Sequence, residues 1–134
     1  MTGGISSERV RLLLVEDSPE FRATLIGWAE AHADLELVGA FATAEEALTR
    51  LSDSRPDVVV MDMVLPGMSG LDAVRTLRRT GRDTPVVIVT LHDGATVRSE
   101  AMAAGADAFL SKSAIGDRLH DLLVALRDDR RAEG

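Results

Sequence analysis

The 134-residue sequence contains no cysteine, and Lys112 is the single lysine among 15 basic residues. The missing cysteines exclude disulfides, iron–sulfur clusters and thiol catalysis. Acidic residues outnumber basic ones by 22 to 15, which gives a net charge of −7. Because nucleic-acid backbones are bound by basic patches, this balance argues against direct binding of DNA or RNA.

Long apolar segments and aromatic side chains are also scarce. No run approaches 18 uninterrupted apolar residues, and the N-terminus lacks the apolar core of a signal peptide. We therefore expect a soluble, cytoplasmic protein with no membrane contact. Hydrophobic residues still make up 46% of the chain and aromatic residues only 3%, so the predicted core is mostly aliphatic.

Five short runs rich in Val, Ile and Leu alternate with amphipathic segments of helical spacing. The runs cover residues 10–15, 35–38, 58–61, 86–89 and 106–110. They lack polar alternation, which is typical of strands buried on both faces of a parallel sheet. The alternation predicts an α/β fold with helices on both sides of that sheet.

Helix-capping residues support this division. Ser18 precedes Pro19 in the pattern of an N-cap followed by proline at the first helical position. Thr43 and Glu46 have the spacing of a capping box. Both pairs lie between a predicted strand and a predicted helix, as the alternation requires.

One domain is predicted over residues 8–128, with flexible termini at 1–7 and 129–134. The fourth helix, at about residues 93–104, has the smallest apolar stripe and is the best candidate to move. His32 and His120 have no metal-ligand spacing, and we expect both on helix surfaces.

Polar residues stand where four of the predicted strands end. They are Glu16 and Asp17 after the first strand, Asp62 after the third, Thr90 after the fourth and Lys112 after the fifth. In parallel α/β sheets, ligands collect at the carboxyl ends of the strands. We therefore expect these side chains to converge on one site.

Each of these residues also has an ordinary structural explanation. Glu16 or Asp17 would cap the following helix, Thr90 would be a β-branched strand residue, and Lys112 would be a solvated lysine. The combination favours a site, because independent accidents should not place acids, a hydroxyl and the only lysine at four strand ends.

Three clustered carboxylates require a cation. Two unit charges about 4 Å apart repel by roughly 4 kcal/mol at an effective dielectric near 20. Carboxylate oxygens in a partly open site suit Mg²⁺, which commonly joins carboxylates to a phosphate. With a hydroxyl and an ammonium nearby, this set would stabilise a phosphoryl group in transfer. Neither glycine-rich nucleotide motif occurs, so another molecule must donate that group to a carboxylate.

Four segments closely resemble the receiver domain of two-component response regulators. They are LLLVED, with the acidic pair; PDVVVMDMVLPGMSGLD, with the phosphorylation strand and its loop; PVVIVT, with the switch hydroxyl; and GADAFLSK, with the aromatic residue and lysine. The resemblance covers nearly the whole predicted domain. It implies a flavodoxin-like, doubly wound (βα)5 three-layer sandwich with strand order 2-1-3-4-5.

The resemblance also implies a role for each site residue. Asp62 would accept a phosphoryl group from a sensor histidine kinase or a histidine phosphotransfer protein. Asp17, Asp62 and the Met63 backbone carbonyl would bind Mg²⁺, for which Mn²⁺ substitutes, and Glu16 would act through water. Lys112 would pair with a phosphoryl oxygen. The chain would catalyse nothing beyond its own phosphorylation and slow dephosphorylation.

A conformational switch is the expected consequence. Thr90 would swing to bind a phosphoryl oxygen, and Phe109 would turn inward into the space it leaves, although a plain core aromatic is the alternative for Phe109. Phosphorylation adds about −1.5 to −2 charges, enough to bias a hydroxyl and a loosely packed helix. The change would alter the face of the fourth helix, fifth strand and fifth helix, which controls a downstream protein or output domain, and would permit a phosphorylation-dependent homodimer.

Three positions depart from the commonest receiver pattern. Val64 and His92 stand two residues after Asp62 and Thr90, where the family tunes the lifetime of the phosphoryl group. Val64 has no polar group to orient water, whereas His92 would either donate a hydrogen bond or be a solvated loop residue. Ser113 replaces a common proline, so a cis bond before it is not assumed.

Other functions fit the residues less well. A flavin carrier would need a phosphate loop after the first strand, but residues 16–19 are acidic there. A phosphatase with an aspartyl nucleophile would have a second acid where Val64 stands. A receiver-like module that works without phosphorylation stays open, and so does the receiver portion of a longer helix-turn-helix regulator.

Overall fold

Strands and helices alternate throughout the computed structural model, which describes residues 9–92 and 94–133. The strands are β1 (Val10–Val15), β2 (Leu35–Phe41), β3 (Val58–Asp62), β4 (Val86–Thr90) and β5 (Ala108–Ser111). The helices are α1 (Pro19–Glu30), α2 (Ala44–Ser54), α3 (Gly70–Arg79), α4 (Ala95–Ala104) and α5 (His120–Glu133). The predicted flexible segment 1–7, the domain boundary at residue 8, Asp93 and Gly134 lie outside the described residues.

The five strands form one parallel sheet in the order β2-β1-β3-β4-β5, which confirms the predicted topology. Asp62 pairs with Val89, and Thr90 pairs with Ser111. The ends of β3, β4 and β5 therefore lie side by side, as a shared site requires.

Two aliphatic cores cover the faces of the sheet. Leu12 and Leu14 of β1 pack toward α1 and α5, whereas Leu13 and Val15 pack toward α2, α3 and α4. This alternation follows from the two-residue period of a strand. It explains why the strands are apolar without interruption.

The predicted helix caps are confirmed. Ser18 Oγ accepts a hydrogen bond from Phe21 N at 3.2 Å, and Pro19 is the first residue of α1. Thr43 Oγ1 accepts from Glu46 N at 3.2 Å. Because Ser18 caps α1, the alternative that Glu16 or Asp17 caps this helix is wrong.

Helix α4 is weakly anchored, as predicted. Its N-cap is Gly94, which has no side chain to accept a hydrogen bond, and it buries only Ala101 and Ala104. It begins at Ala95, later than the predicted residue 93, since Gly94 is extended. None of the described helices combines the length and apolarity needed to span a membrane.

The C-terminal region differs from the prediction. Residues 129–133 continue α5 and are not a loose tail. Arg130 Nη2 lies 3.1 Å from Asp83 Oδ1, which ties this end of α5 to the loop before β4. Between β5 and α5 lie a 3-10 turn (Lys112–Ala114) and a π-helical turn (Ile115–Leu119). The described residues contain no cis peptide, so the bond before Ser113 is trans.

The expectation that His32 and His120 both lie on helix surfaces is wrong for His32, whereas His120 is the first residue of α5. Their rings stack with centroids 4.6 Å apart, and both side chains are half-buried. His32 follows α1 rather than lying within it, and His120 Nε2 lies 2.8 Å from Asp34 Oδ2. The two histidines join α1 to α5 across 88 positions, so no local pattern could reveal the contact.

Candidate functional site

Three carboxylates meet at the carboxyl edge of the sheet. Glu16 and Asp17 directly follow β1, and Asp62 is the last residue of β3. One oxygen from each lies within 4.8 Å of the others. Glu16 and Asp62 are buried, whereas Asp17 is exposed at the rim. The predicted acid cluster is therefore present, with one side open to solvent.

Lys112 joins two of these acids. Its Nζ lies 2.8 Å from Asp62 Oδ2 and 2.9 Å from Glu16 Oε1. Its side chain is 11% exposed, so the alternative of a solvated lysine is wrong. The same nitrogen lies 4.4 Å from the centroid of the Phe21 ring.

The pKa values of Glu16 and Lys112 are both raised. Burial is the largest influence on Glu16 and raises its pKa above the ordinary 4.5, assisted by Asp62 and opposed by hydrogen bonds from Ser18 and Lys112. Burial alone would lower the pKa of Lys112. The hydrogen bonds and charges of Asp62 and Glu16 together outweigh it, so the pKa lies above 10.5. The lysine therefore remains a cation at neutral pH.

Backbone contacts fix the acids in place. Arg22 Nη1 donates to Glu16 O at 2.7 Å, and Ser18 N donates to Glu16 Oε2 at 3.0 Å. Val64 N donates to Asp62 Oδ1 at 3.0 Å. Because Lys112 Nζ donates to Asp62 Oδ2, each carboxylate oxygen of Asp62 accepts one hydrogen bond. Sequence reasoning missed Arg22, whose role depends on the first turn of α1 folding back onto the end of β1.

Gly70 is a second residue that sequence reasoning missed. A Cβ at this position would overlap the carbonyl oxygen of Asp62, so only glycine lets α3 begin this close to β3. Gly70 N donates to Met63 O at 3.0 Å. A carbonyl oxygen has two lone pairs, so one stays available in Met63. Metal binding by this carbonyl stays a prediction.

The two predicted switch residues lie on neighbouring strands. Thr90 is 2% exposed, and its Oγ1 accepts a hydrogen bond from His92 N at 3.1 Å. Phe109 is already buried, with the Arg98 guanidinium 5.0 Å from its ring centroid. This position also fits a core aromatic. A change in either side chain stays a prediction.

Val64 and His92 lie at the rim of the site. The Val64 residue is 68% exposed, and His92 is also exposed. Leu91, which follows Thr90, is 75% exposed. The rim is therefore more apolar than sequence reasoning anticipated, and the tuning role of Val64 and His92 stays a prediction.

The cluster fits a divalent cation. The Lys112 ammonium pairs with Glu16 and Asp62, and Asp17 adds a third carboxylate, which leaves excess negative charge within the cluster. Glu16 Oε1 is buried, and the polar group against it is Lys112 Nζ at 2.9 Å. An all-oxygen donor set of this kind is suited to a hard cation that retains water ligands.

A five-stranded parallel sheet with a lysine-bound acid cluster at its carboxyl edge defines a receiver-type α/β domain. The family model for the response regulator receiver domain matches residues 12–124. The chain therefore belongs to the receiver domain family of two-component response regulators.

Proteins of known function give the same classification. The two-component response regulator PhoP of Pseudomonas aeruginosa is 38% identical over 125 residues, covering 93% of this chain and 54% of that protein. A protein-glutamate methylesterase/protein-glutamine glutaminase of a Nocardioides species is 36% identical over 107 residues, covering 78% of this chain and 29% of that protein. The chain thus spans about half of the first relative and less than a third of the second.

Solved structures confirm the fold. A two-component response regulator of the LuxR family from an Aurantimonas species superposes with a TM-score of 0.84 at 30% identity, covering 90% of this chain and 86% of that chain. The response regulator domain of Thermotoga maritima CheB has a TM-score of 0.81 at 24% identity, covering 90% and 97%. At 24% identity, the similarity to the CheB domain is evidence for the fold alone.

Proposed function

We propose that this receiver domain accepts a phosphoryl group on Asp62 in a reaction that depends on Mg²⁺. The observation that carries the proposal is the position of Asp62. Its carboxylate lies at the end of β3 between Lys112 and the acids that follow β1. A nucleophile, a cation and a candidate metal site therefore meet at one buried carboxylate.

The reaction would be a direct transfer between two proteins. A carboxylate oxygen of Asp62 attacks the phosphorus of a phosphohistidine, so that an O–P bond forms as the P–N bond breaks. The imidazole nitrogen leaves with the electron pair and takes a proton from solvent. The product on this chain is an acyl phosphate. Lys112 would neutralise charge on a phosphoryl oxygen as it develops.

Asp17 and Asp62 would supply carboxylate ligands to the metal, with the Met63 carbonyl as a third and Glu16 acting through water. When bound, Mg²⁺ or Mn²⁺ would neutralise the phosphoryl oxygens and the acids together. The exposed Asp17 carboxylate leaves an entry route for the ion.

The response would pass through Thr90 and α4. Binding of the Thr90 hydroxyl to a phosphoryl oxygen requires it to give up its hydrogen bond from His92 N. Helix α4 follows directly and has little buried area to hold it. The face formed by α4, β5 and α5 would then present a changed surface to an output partner, to an output domain or to a second phosphorylated copy.

The partners follow from the same proposal. A sensor histidine kinase or histidine phosphotransfer protein would supply the phosphoryl group in the cytoplasm. A second candidate is the receiver portion of a longer helix-turn-helix regulator, since the chain spans about half the length of the response regulator PhoP. A module that works without phosphorylation is disfavoured, since it would keep the repulsion within the acid cluster for no purpose.

Phosphorylation of the purified protein tests the proposal. Wild type, Asp62→Asn and Asp72→Asn would be incubated with Mg²⁺ and acetyl phosphate and examined by intact mass spectrometry. We expect one added phosphoryl group on wild type and on the exposed-acid control Asp72→Asn, and none on Asp62→Asn. An unmodified wild type, or equal modification of Asp62→Asn, would overturn the proposal.

A further inference from the structure

Phe21 lies against the ammonium of Lys112. It belongs to the first turn of α1 and is half-buried, with its ring centroid 4.4 Å from Lys112 Nζ. The ring packs against the core on the α1 and α5 side of the sheet, and it also borders the acid cluster at Lys112.

The ammonium has three N–H donors, and the structure surrounds it with three different groups. Asp62 Oδ2 lies at 2.8 Å and Glu16 Oε1 at 2.9 Å, while the Phe21 ring occupies a third side. The lysine side chain is only 11% exposed. Water therefore has little access to the charge.

An aromatic face differs from a third polar partner in two ways. It attracts the cation through its quadrupole, yet it carries no charge that would neutralise the ammonium. It also cannot follow the ammonium as a mobile water would. The ring thus limits where the lysine can go and leaves its charge available to an incoming oxygen.

The first turn of α1 sets the position of this ring. Phe21 N donates to Ser18 Oγ at 3.2 Å, and the neighbouring Arg22 donates to Glu16 O at 2.7 Å. The same turn therefore holds the acid segment and the ring together. A shift of one would move the other.

We propose that Phe21 is a positioning residue for phosphoryl transfer, whose aromatic face holds the Lys112 ammonium beside Asp62. The inference rests on the proposed phosphorylation of Asp62 and adds a residue to that site. Its role is indirect, because it acts on the lysine and not on the phosphoryl group.

The test compares Phe21→Leu, which keeps apolar bulk without the aromatic face, with Phe21→Tyr, which keeps the ring. Phe41→Leu is the matched control, since Phe41 is a half-buried phenylalanine on β2 that packs into the core on the other face of the sheet. Thermal unfolding checks that each variant folds, and Phe21→Met replaces Phe21→Leu if the latter does not.

Two measurements are made on each variant. The first is the rate of phosphorylation by acetyl phosphate with Mg²⁺, which we expect to fall roughly fivefold in Phe21→Leu, a typical loss for one cation–π contact. The second is the NMR signal of the Lys112 εCH2 group, which is unambiguous because the chain has a single lysine. We expect an upfield ring-current shift in wild type and Phe21→Tyr that disappears in Phe21→Leu.

The outcomes separate this inference from the function on which it rests. If wild type is phosphorylated on Asp62 but Phe21→Leu reacts at the same rate, the inference is overturned and the proposed function stands. If Phe21→Tyr fails to restore both the rate and the shift, the aromatic face is not responsible. A wild type that is never phosphorylated overturns both. An unchanged rate and signal in Phe41→Leu supports the assignment to Phe21.

Discussion

Aspartates stand at both ends of the sheet, but their carboxylates have different partners at each end. Asp57 and Asp107 directly precede β3 and β5. Asp57 Oδ2 accepts a hydrogen bond from Arg11 N at 2.9 Å. Asp107 Oδ2 accepts from Val86 N at 2.8 Å and pairs with Arg78 at 2.7 Å. These acids complete the hydrogen bonding where neighbouring strands begin.

The acids at the carboxyl end face one another instead. Glu16, Asp17 and Asp62 lie together, Lys112 pairs with Glu16 and Asp62 only, and burial raises the pKa of Glu16. This arrangement costs stability in the absence of a ligand, because like charges are held together. The aspartates before β3 and β5 thus support the sheet, whereas the acids after β1 and β3 are crowded together at the site that we propose binds a metal ion.

Replacing Lys112 should give the largest effect at the carboxyl end. Lys112→Ala removes a charge-assisted contact from Asp62, so phosphorylation by acetyl phosphate should slow by about 10- to 100-fold. Circular dichroism should still show a folded domain. Wholesale unfolding would show that Lys112, like Asp57 and Asp107, mainly supports the fold. It would contradict the distinction between the two ends of the sheet.

The Gly70 position tests whether backbone packing holds Asp62 in place. Gly70→Ala would force a methyl group against the Asp62 carbonyl and should lower the free energy of unfolding by about 1–3 kcal/mol. Phosphorylation should slow as well. The matched control is Gly27→Ala in α1, where a Cβ meets nothing and should stabilise by about 0.5–1 kcal/mol. Equal unfolding free energies in the two variants would refute the close approach.

The amino end should respond in stability alone. Asp107→Ala leaves Val86 N without its acceptor and removes the carboxylate partner of Arg78, which should cost about 1–3 kcal/mol in chemical denaturation. The phosphorylation rate should stay that of wild type once the protein is folded. A slower reaction in stable, folded Asp107→Ala would show that the two ends are not separate in function.

A smaller effect concerns the pH dependence of the metal-free protein. The folded-state pKa of Glu16 is raised, so its contribution to stability is greatest below about pH 4.5 and falls as the pH rises through the folded value. Glu16→Gln cannot ionise, so it should not lose stability in this way. Without Mg²⁺ at pH 7, its free energy of unfolding should therefore exceed that of wild type. Urea denaturation at several pH values measures this difference in unfolding free energy. A Glu16→Gln variant that is less stable than wild type at pH 7 would contradict the predicted direction.

The strand ends were predictable because their signal is local. Asp62 and Thr90 each close an apolar run, and topology then brings these ends to one edge. The cap at Ser18 was predictable for the same reason. Weak anchoring of α4 followed from its small side chains.

The remaining features depend on contacts between distant segments. Glycine is needed at position 70 only because α3 begins against the end of β3. The ring of Phe21 contacts Lys112, which lies 91 positions later in the sequence. The polar end of α5 was predicted to be loose, but pairing of Arg130 with Asp83 supports it. A single sequence has no local pattern for any of these contacts.

Binding of Mg²⁺ to the apoprotein tests the distinction between the two ends most directly. Thermal unfolding would be followed across a Mg²⁺ titration for wild type, Asp17→Asn and Asp57→Asn. A bound ion stabilises only a folded site, so the unfolding temperature should rise with Mg²⁺ for wild type and Asp57→Asn and stay constant for Asp17→Asn. Equal stabilisation of Asp17→Asn, or none in wild type, would contradict the account.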